Sequence, residues 1–122
     1  MKKMSRITFE ELQEFNSDLK KLLKKYRSLN EDLEVLRKDL NDEPGERPPF
    51  SFRISGLGIK TCIIKVKKIA CKSLKGRGVN SGLRLVYAHF EKEERIVSAE
   101  LYHKSDKGNE DRERLKRNFN GA

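Results

Sequence analysis

Positive charge is concentrated in one segment of this chain, residues 51–90. The segment contains nine basic residues and no Asp or Glu, whereas residues 1–50 and 91–122 each hold equal numbers of basic and acidic side chains. The formal net charge of +9 therefore lies in this segment alone. Solvated surfaces usually mix both signs of charge, so such a concentration indicates a polyanionic partner, with charge for solubility alone as the alternative. The nine residues are Arg53, Lys60, Lys65, Lys67, Lys68, Lys72, Lys75, Arg77 and Arg84.

Three of these cations have types and spacings that suit chemistry on a phosphate. Arg84 lies in a predicted strand, and its planar guanidinium can hold a phosphate through two hydrogen bonds at once. Lys65 and Lys67 lie one pleat apart on the same face of another predicted strand. Two ammonium groups at that spacing repel each other, so one of them could release its proton and act as a base or relay. The alternatives are an ordinary surface ion pair for Arg84 and, for the lysines, contacts that only position a nucleic acid.

Two further candidates close the last predicted strand, Tyr102 and His103. The tyrosine could stack on an unpaired base or supply its hydroxyl, and a histidine can exchange a proton near neutral pH. Strict alternation places His103 on the apolar side of the strand with Val97, Ala99 and Leu101, so a core histidine with satisfied hydrogen bonds is the alternative. The remaining cations of interest are expected to bind phosphates: Lys68, Lys72, Lys75, Arg77 and Lys104.

The N-terminal part of the chain is predicted to be helical. Capping boxes at Thr8–Glu11 and at Ser28–Glu31 each precede apolar residues that recur every three or four positions. We therefore expect two helices that meet near Arg27, form an antiparallel hairpin and end at the proline-rich stretch 41–49. A short strand at Arg6–Thr8 has only a weak signal.

From residue 50 onward the pattern is typical of strands. Alternating and β-branched residues predict strands over 59–69, 83–90 and 95–102, the last two forming a hairpin. A short helix over 106–119 is expected to follow, held mainly by its few apolar residues. The predicted fold is one α+β domain over residues 1–122, with an N-terminal helical hairpin packed on a small antiparallel sheet and a short C-terminal helix.

Four motifs stand in a fixed order along this chain. They are Leu19–Tyr26 (LKKLLKKY), Lys65–Lys67 (KVK), Ser81–Tyr87 (SGLRLVY) and Leu101–Lys107 (LYHKSDK). They resemble, in turn, the basic N-terminal helices, the K-x-[KR] strand, the glycine–arginine strand and the last strand of the RelE/ParE toxin superfamily. The resemblance runs across nearly the whole chain.

The resemblance implies a type II toxin that is neutralised by a cognate antitoxin protein. In the RelE-like branch the free toxin is an mRNA interferase, a ribosome-dependent endonuclease that cuts mRNA in the A site. Without a metal, the 2′-hydroxyl must attack the phosphorus while a base, an acid and cations assist. Arg84 is then the expected cation of the transition state, and Lys65, Lys67, Tyr102 and His103 are candidates for the other catalytic roles.

Two other functions remain open from the sequence. A ParE-like toxin would inhibit DNA gyrase by binding and would cut no RNA. A plain RNA-binding or ribosome-binding module would have neither catalysis nor an antitoxin. The lysine pair, Tyr102 and His103 favour the nuclease, because a pure binder needs no titratable cluster beside its phosphate contacts.

Several other classes of protein do not fit the sequence. Cys62 and Cys71 are too few for a disulfide framework or a zinc site, so we expect two reduced cysteines, no metal and no cofactor. No stretch approaches the roughly 20 apolar residues of a membrane span, and no apolar run follows the basic N-terminus as in a secretory signal. A cytoplasmic protein without a membrane partner is the expectation.

Overall fold

The computed structural model describes residues 7–120, which form an α+β structure with three helices and a five-stranded sheet. The helices are α1 (Gln13–Leu23), α2 (Leu29–Asp42) and α3 (Arg112–Phe119). The strands are β1 (Thr8–Glu11), β2 (Ser51–Ile54), β3 (Cys62–Val66), β4 (Leu83–Phe90) and β5 (Arg95–His103). No helix among these is long and apolar enough to cross a membrane.

The sheet has the order β1-β5-β4-β3-β2. Its three neighbouring pairs from β2 to β5 are antiparallel, and β4 and β5 form the predicted hairpin, with the turn at residues 91–94. The edge strand β1 instead pairs with β5 in parallel. The purely antiparallel sheet expected from the sequence was therefore wrong at this edge. Strand β2 was missed, and of β1 only Thr8 falls within the weakly signalled strand at Arg6–Thr8.

The helix expected to begin at the first capping box begins later, at Gln13. Thr8–Glu11 is extended because its backbone pairs with β5, with the Thr8 amide donating to Glu94 at 2.8 Å and the Leu12 amide donating to Ser98 at 2.9 Å. These long-range hydrogen bonds outweigh the local capping preference. The weakly predicted strand at Arg6–Thr8 begins outside the described residues.

The second predicted helix begins where expected, at Leu29, but without a capping box. The Ser28 hydroxyl donates to the Asp32 carboxylate at 2.7 Å instead of accepting from a backbone amide of the first turn. The C-terminal helix starts at Arg112 rather than near residue 106. There Asp111 caps it, accepting from the Arg114 amide at 3.1 Å.

The sheet is apolar on both faces, and each face has its own core. We call them the α2 face and the α3 face, after the helices that contribute to their clusters. The predicted apolar stripe of α2 is confirmed. The α2-face cluster includes Phe15, Tyr26, Leu29, Leu33, Leu36 and Leu40 with Ile64, Val66, Leu83, Leu85, Tyr87, Ile96 and Leu101. The α3-face cluster includes Leu115 and Phe119 with Leu57, Ile63, Val86, Ala88, Val97, Ala99 and Tyr102.

A β-bulge in β5 decides which side chains share a face. Val86 pairs with Glu100, yet the next residue of β4, Tyr87, pairs with Ser98, so Ala99 is the extra residue. The prediction that His103 shares a side with Val97, Ala99 and Leu101 was for this reason wrong for Val97 and Ala99, whereas Leu101 does lie on the α2 face with His103. Val97 and Ala99 belong to the α3-face cluster, whereas the His103 ring stacks on Tyr26 of the α2-face cluster.

Gly82, just before β4, provides a test of this packing. Its φ is +90°, and a Cβ built there would lie 2.6 Å from Nε2 of His103. Gly82→Ala should therefore lower the free energy of unfolding by about 1–3 kcal/mol more than the same substitution at a left-handed glycine in open space, because the added methyl group crowds a fixed ring. Gly76→Ala is the matched control, since Gly76 has a φ of +80° and no atom within 4 Å of the added Cβ. Equal losses in urea unfolding of the two variants would contradict the predicted contact.

Candidate nucleic-acid interface

A cleft with a volume of about 330 Å³ opens at the end of the sheet where β3 and β5 finish and β4 begins. We call it the cationic cleft. Four of its eight lining residues are Lys or Arg, and no acidic residue of the described chain is among them. The lining residues are Pro49, Phe52, Lys67, Lys68, Asn80, Gly82, Arg84 and Lys104.

Arg84 lies at the start of β4, directly opposite Tyr102 of β5. Its Nη1 donates to the backbone carbonyls of Lys67 and Leu83, each at 3.2 Å. Two carbonyls orient the guanidinium without neutralising its charge, and within residues 7–120 no carboxylate forms an ion pair with it. The geometry therefore does not match the alternative of an ordinary surface ion pair for Arg84. The other donors of its guanidinium are free to hold an anion.

The three lysines of the cleft are also without acidic partners in the described part of the chain. Nζ of Lys67 lies 5.1 Å from the centroid of the Phe52 ring, a cation–π contact, and Nζ of Lys68 donates to Asn80 Oδ1 at 2.8 Å. Lys104 is held at the rim because its amide donates to the Gly82 carbonyl at 2.8 Å. Four unneutralised charges around one concavity favour binding of an anion.

Lys65, unlike Lys67, forms an ion pair. Its Nζ donates to Glu110 Oε1 at 2.8 Å, and the two side chains are only 14% and 3% exposed. The other oxygen of Glu110 lies 3.3 Å from Nε of Arg112. Lys65 is therefore a neutralised, nearly buried cation outside the lining of the cleft, and the proposed relay between Lys65 and Lys67 has no support in this geometry.

Lys65 also affects the pKa values of two neighbouring side chains, Glu110 and Tyr102. Burial alone would raise the pKa of the Glu110 carboxyl, but the hydrogen bonds from Lys65 and from its own amide, with the charges of Lys65 and Arg112, lower it overall. Burial raises the pKa of the Tyr102 hydroxyl, and the nearby Lys65 only partly opposes this. Tyr102 is 5% exposed and part of the α3-face core, so its ring is not available to stack on a base.

His103 lies on the α2 face, away from the face that carries Arg84. Nδ1 accepts from the Ser105 amide at 3.0 Å, and Nε2 lies 2.9 Å from the Ser81 carbonyl oxygen, which can only accept, so Nε2 carries the proton. The ring stacks on Tyr26 with 5.8 Å between centroids. His103 thus matches the alternative of a histidine with satisfied hydrogen bonds, and the structure does not bring it together with Arg84.

The predicted phosphate-binding residues separate into two groups. Lys68 and Lys104 line the cleft, whereas the exposed loop cations Lys72, Lys75 and Arg77 do not. Nζ of Lys72 lies 3.3 Å from Glu31 of α2, in an ion pair whose side chains are both about 70% exposed (71% and 72%). The loop therefore presents charge outside the cleft.

Sequence reasoning missed Phe52, Pro49 and Asn80 as parts of this site. The alternation in residues 50–54 (FSFRI) is the signal that could have revealed β2 and, with it, Phe52. Cys62 and Cys71 are free cysteines in the structure, the first half-buried and the second buried. Among residues 7–120 no group of three or more His, Cys, Asp or Glu is placed to hold a metal ion.

The pairing of Lys65 with Glu110 predicts a pH-dependent stability. Folding lowers the pKa of Glu110, so the contribution of its carboxylate to the free energy of unfolding is complete above the unfolded-state pKa of roughly 4.3. This contribution is lost as pH falls through the folded-state pKa. Glu110→Gln should lower the free energy of unfolding at pH 7 by about 3 kcal/mol, since it leaves a nearly buried ammonium without its counter-charge. The difference from wild type should shrink below roughly pH 4.

Glu31→Gln is the matched control for this prediction, because it removes the partner of an exposed lysine. Its effect should stay below about 1 kcal/mol. Urea unfolding from pH 3 to 8 measures both variants. Wild-type stability of Glu110→Gln at pH 7 would show that Glu110 does not hold Lys65 in solution.

Comparisons with known proteins identify no relative. No protein-family model matches the chain, and no curated protein and no solved structure matches it significantly. The likeness to the RelE/ParE superfamily therefore rests on the four sequence motifs alone. Function has to be inferred from the residues of this chain.

Proposed function

We propose that this protein binds RNA in the cationic cleft and acts as a RelE-like type II toxin, a ribosome-dependent mRNA endonuclease. The observation that supports the proposal is the cleft itself, in which four cations have no carboxylate among the described lining residues. The resemblance to the RelE/ParE superfamily implies further features, which we propose as well. The partners are a cognate antitoxin and the ribosome with its mRNA, the location is cytoplasmic, and the helical hairpin packs on the sheet.

Arg84 is the residue to which we assign the reacting phosphate. Its guanidinium is fixed by two carbonyls and keeps donors for the negatively charged oxygens that form when the 2′-hydroxyl attacks phosphorus. Lys68 and Lys104 neutralise adjacent phosphates in this proposal. Of the residues predicted for acid–base roles, Lys67 is the one that lines the cleft, since Lys65, Tyr102 and His103 are held elsewhere. Its ammonium contacts the phosphate and donates a proton to the departing 5′-oxygen, while water accepts the proton of the 2′-hydroxyl.

One observation favours a second candidate, a non-catalytic RNA-binding or ribosome-binding module. Of the predicted acid–base residues, Lys65 is paired with Glu110, Tyr102 is buried, and both ring nitrogens of His103 are engaged. The ionisable side chains that line the described cleft are all Lys or Arg. Such a set suits phosphate binding without cleavage, and gyrase inhibition of the ParE type is the remaining alternative.

Arg84→Ala tests the proposed function directly. Loss of a cation that contacts the transition state should lower cleavage by about 10²–10³-fold, by analogy with removal of one oxyanion-hole donor. Primer extension on a translated mRNA after induced expression measures the cuts and their position relative to codons. Arg53→Ala is the matched control, because Arg53 is an exposed arginine of β2 outside the cleft lining.

The outcomes of this experiment separate the candidates. Codon-positioned cuts that disappear in Arg84→Ala and persist in Arg53→Ala are the expected result. A DNA damage response with intact RNA would favour gyrase inhibition, and absence of toxicity would favour the binding module. Cuts that persist undiminished in Arg84→Ala at equal expression would contradict the role of this residue.

A further inference from the structure

Phe52 is an aromatic residue that neither core of the described structure explains. Its neighbours along the chain, Phe50 and Ile54, pack against the α2-face and α3-face clusters respectively, whereas Phe52 packs against neither. The half-buried ring faces the cationic cleft, where it lines the wall beside Pro49. Burial in a core therefore does not account for this phenyl ring, and its position beside four cations calls for another role.

The pairing of the ring with charge is the second relevant observation. Nζ of Lys67 lies over the ring at 5.1 Å from its centroid, and the Arg84 guanidinium lines the same cleft. A flat apolar surface next to phosphate-binding cations is the combination by which proteins hold single-stranded nucleic acids, with bases on aromatic rings and the backbone on cations.

We propose that Phe52 is a stacking platform for one unpaired nucleobase, so that the cleft takes a nucleotide of single-stranded RNA. The base lies on Phe52, its phosphate is held by Arg84 and Lys104, and the Lys67 ammonium moves from the ring to the phosphate backbone. The inference rests on the proposed RNA binding and adds the residue that contacts the base. Stacking on a phenyl ring tolerates all four bases, so it selects unpaired RNA rather than a sequence. In a duplex both faces of each base are already stacked on neighbours, which excludes this contact.

The test compares two single-stranded oligoribonucleotides of equal length, one with all its bases and one abasic at its central positions. Both carry the same phosphates, so their affinities for the full chain differ only through the bases. Wild-type protein should bind the complete strand about tenfold more tightly, within the range measured for one stacked base. Phe52→Leu keeps an apolar side chain but lacks the ring and should reduce this preference to nearly none, whereas Phe52→Tyr should retain it.

The possible results decide between the inference and the function on which it rests. Wild-type protein that binds both strands equally would overturn the stacking role while leaving phosphate binding intact, and this result does not depend on the folding of any variant. A folded Phe52→Leu that keeps the full preference would overturn it as well. Failure of wild-type protein to bind either strand would instead contradict the proposed RNA binding.

Discussion

The pairing of β4 with β5 is the interaction on which the rest of this structure depends. These two longest strands place Arg84 opposite Tyr102 and, through the bulge at Ala99, bring Glu100 and Tyr102 to the α3 face. Counted from the hairpin turn, a regular register would turn Glu100 to the α2 face. The bulge turns it to the α3 face instead, where it accepts from the Asp111 amide at 2.8 Å, the contact that fixes the start of α3.

Arg114 of α3 secures the bulge from outside. Its Nη1 donates to the Ala99 carbonyl at 2.9 Å and to Asp18 of α1 at 2.7 Å, and Asp18 also accepts from the Leu101 amide at 3.1 Å. Burial alone would lower the pKa of Arg114, but the hydrogen bond and charge of Asp18, with the charges of Glu100 and Glu14, raise it overall. The irregular part of β5 is thus held by charged groups from two helices.

The contrast between paired and unpaired cations distinguishes the candidate site from the rest of the surface. Lys65 is paired with Glu110, Lys107 with Glu100, and Arg114 with Asp18. These pairs tie the segment after β5 and helix α3 to the remainder of the fold. In the described cleft Arg84, Lys68 and Lys67 contact carbonyl, amide and aromatic groups. None of the four cations forms an ion pair within residues 7–120, so their positive charge is available to a ligand.

The sequence predicted the parts of this fold that depend on local periodicity. The leucine stripe of α2, the hairpin of β4 and β5 and the acid-free segment could all be found from spacing and composition. The parallel pairing of β1 and the bulge could not, because both depend on contacts between residues far apart in the chain. Lys65 and Lys67 could not be told apart for the same reason, since Glu110, which neutralises Lys65, lies 45 residues away.

The salt dependence of RNA binding tests the central claim, that the cleft cations bind phosphates, most directly. Neutralising Lys67, Lys68 and Lys104 together to Gln should reduce the slope of log affinity against log salt for single-stranded RNA by about 2, at roughly 0.7 for each lost phosphate contact. Neutralising Lys72, Lys75 and Arg77 removes the same charge outside the cleft and should change the slope less, since Lys72 is already paired with Glu31. Equal slopes for the two triple variants would show that binding follows the overall charge and that the cleft is not its site.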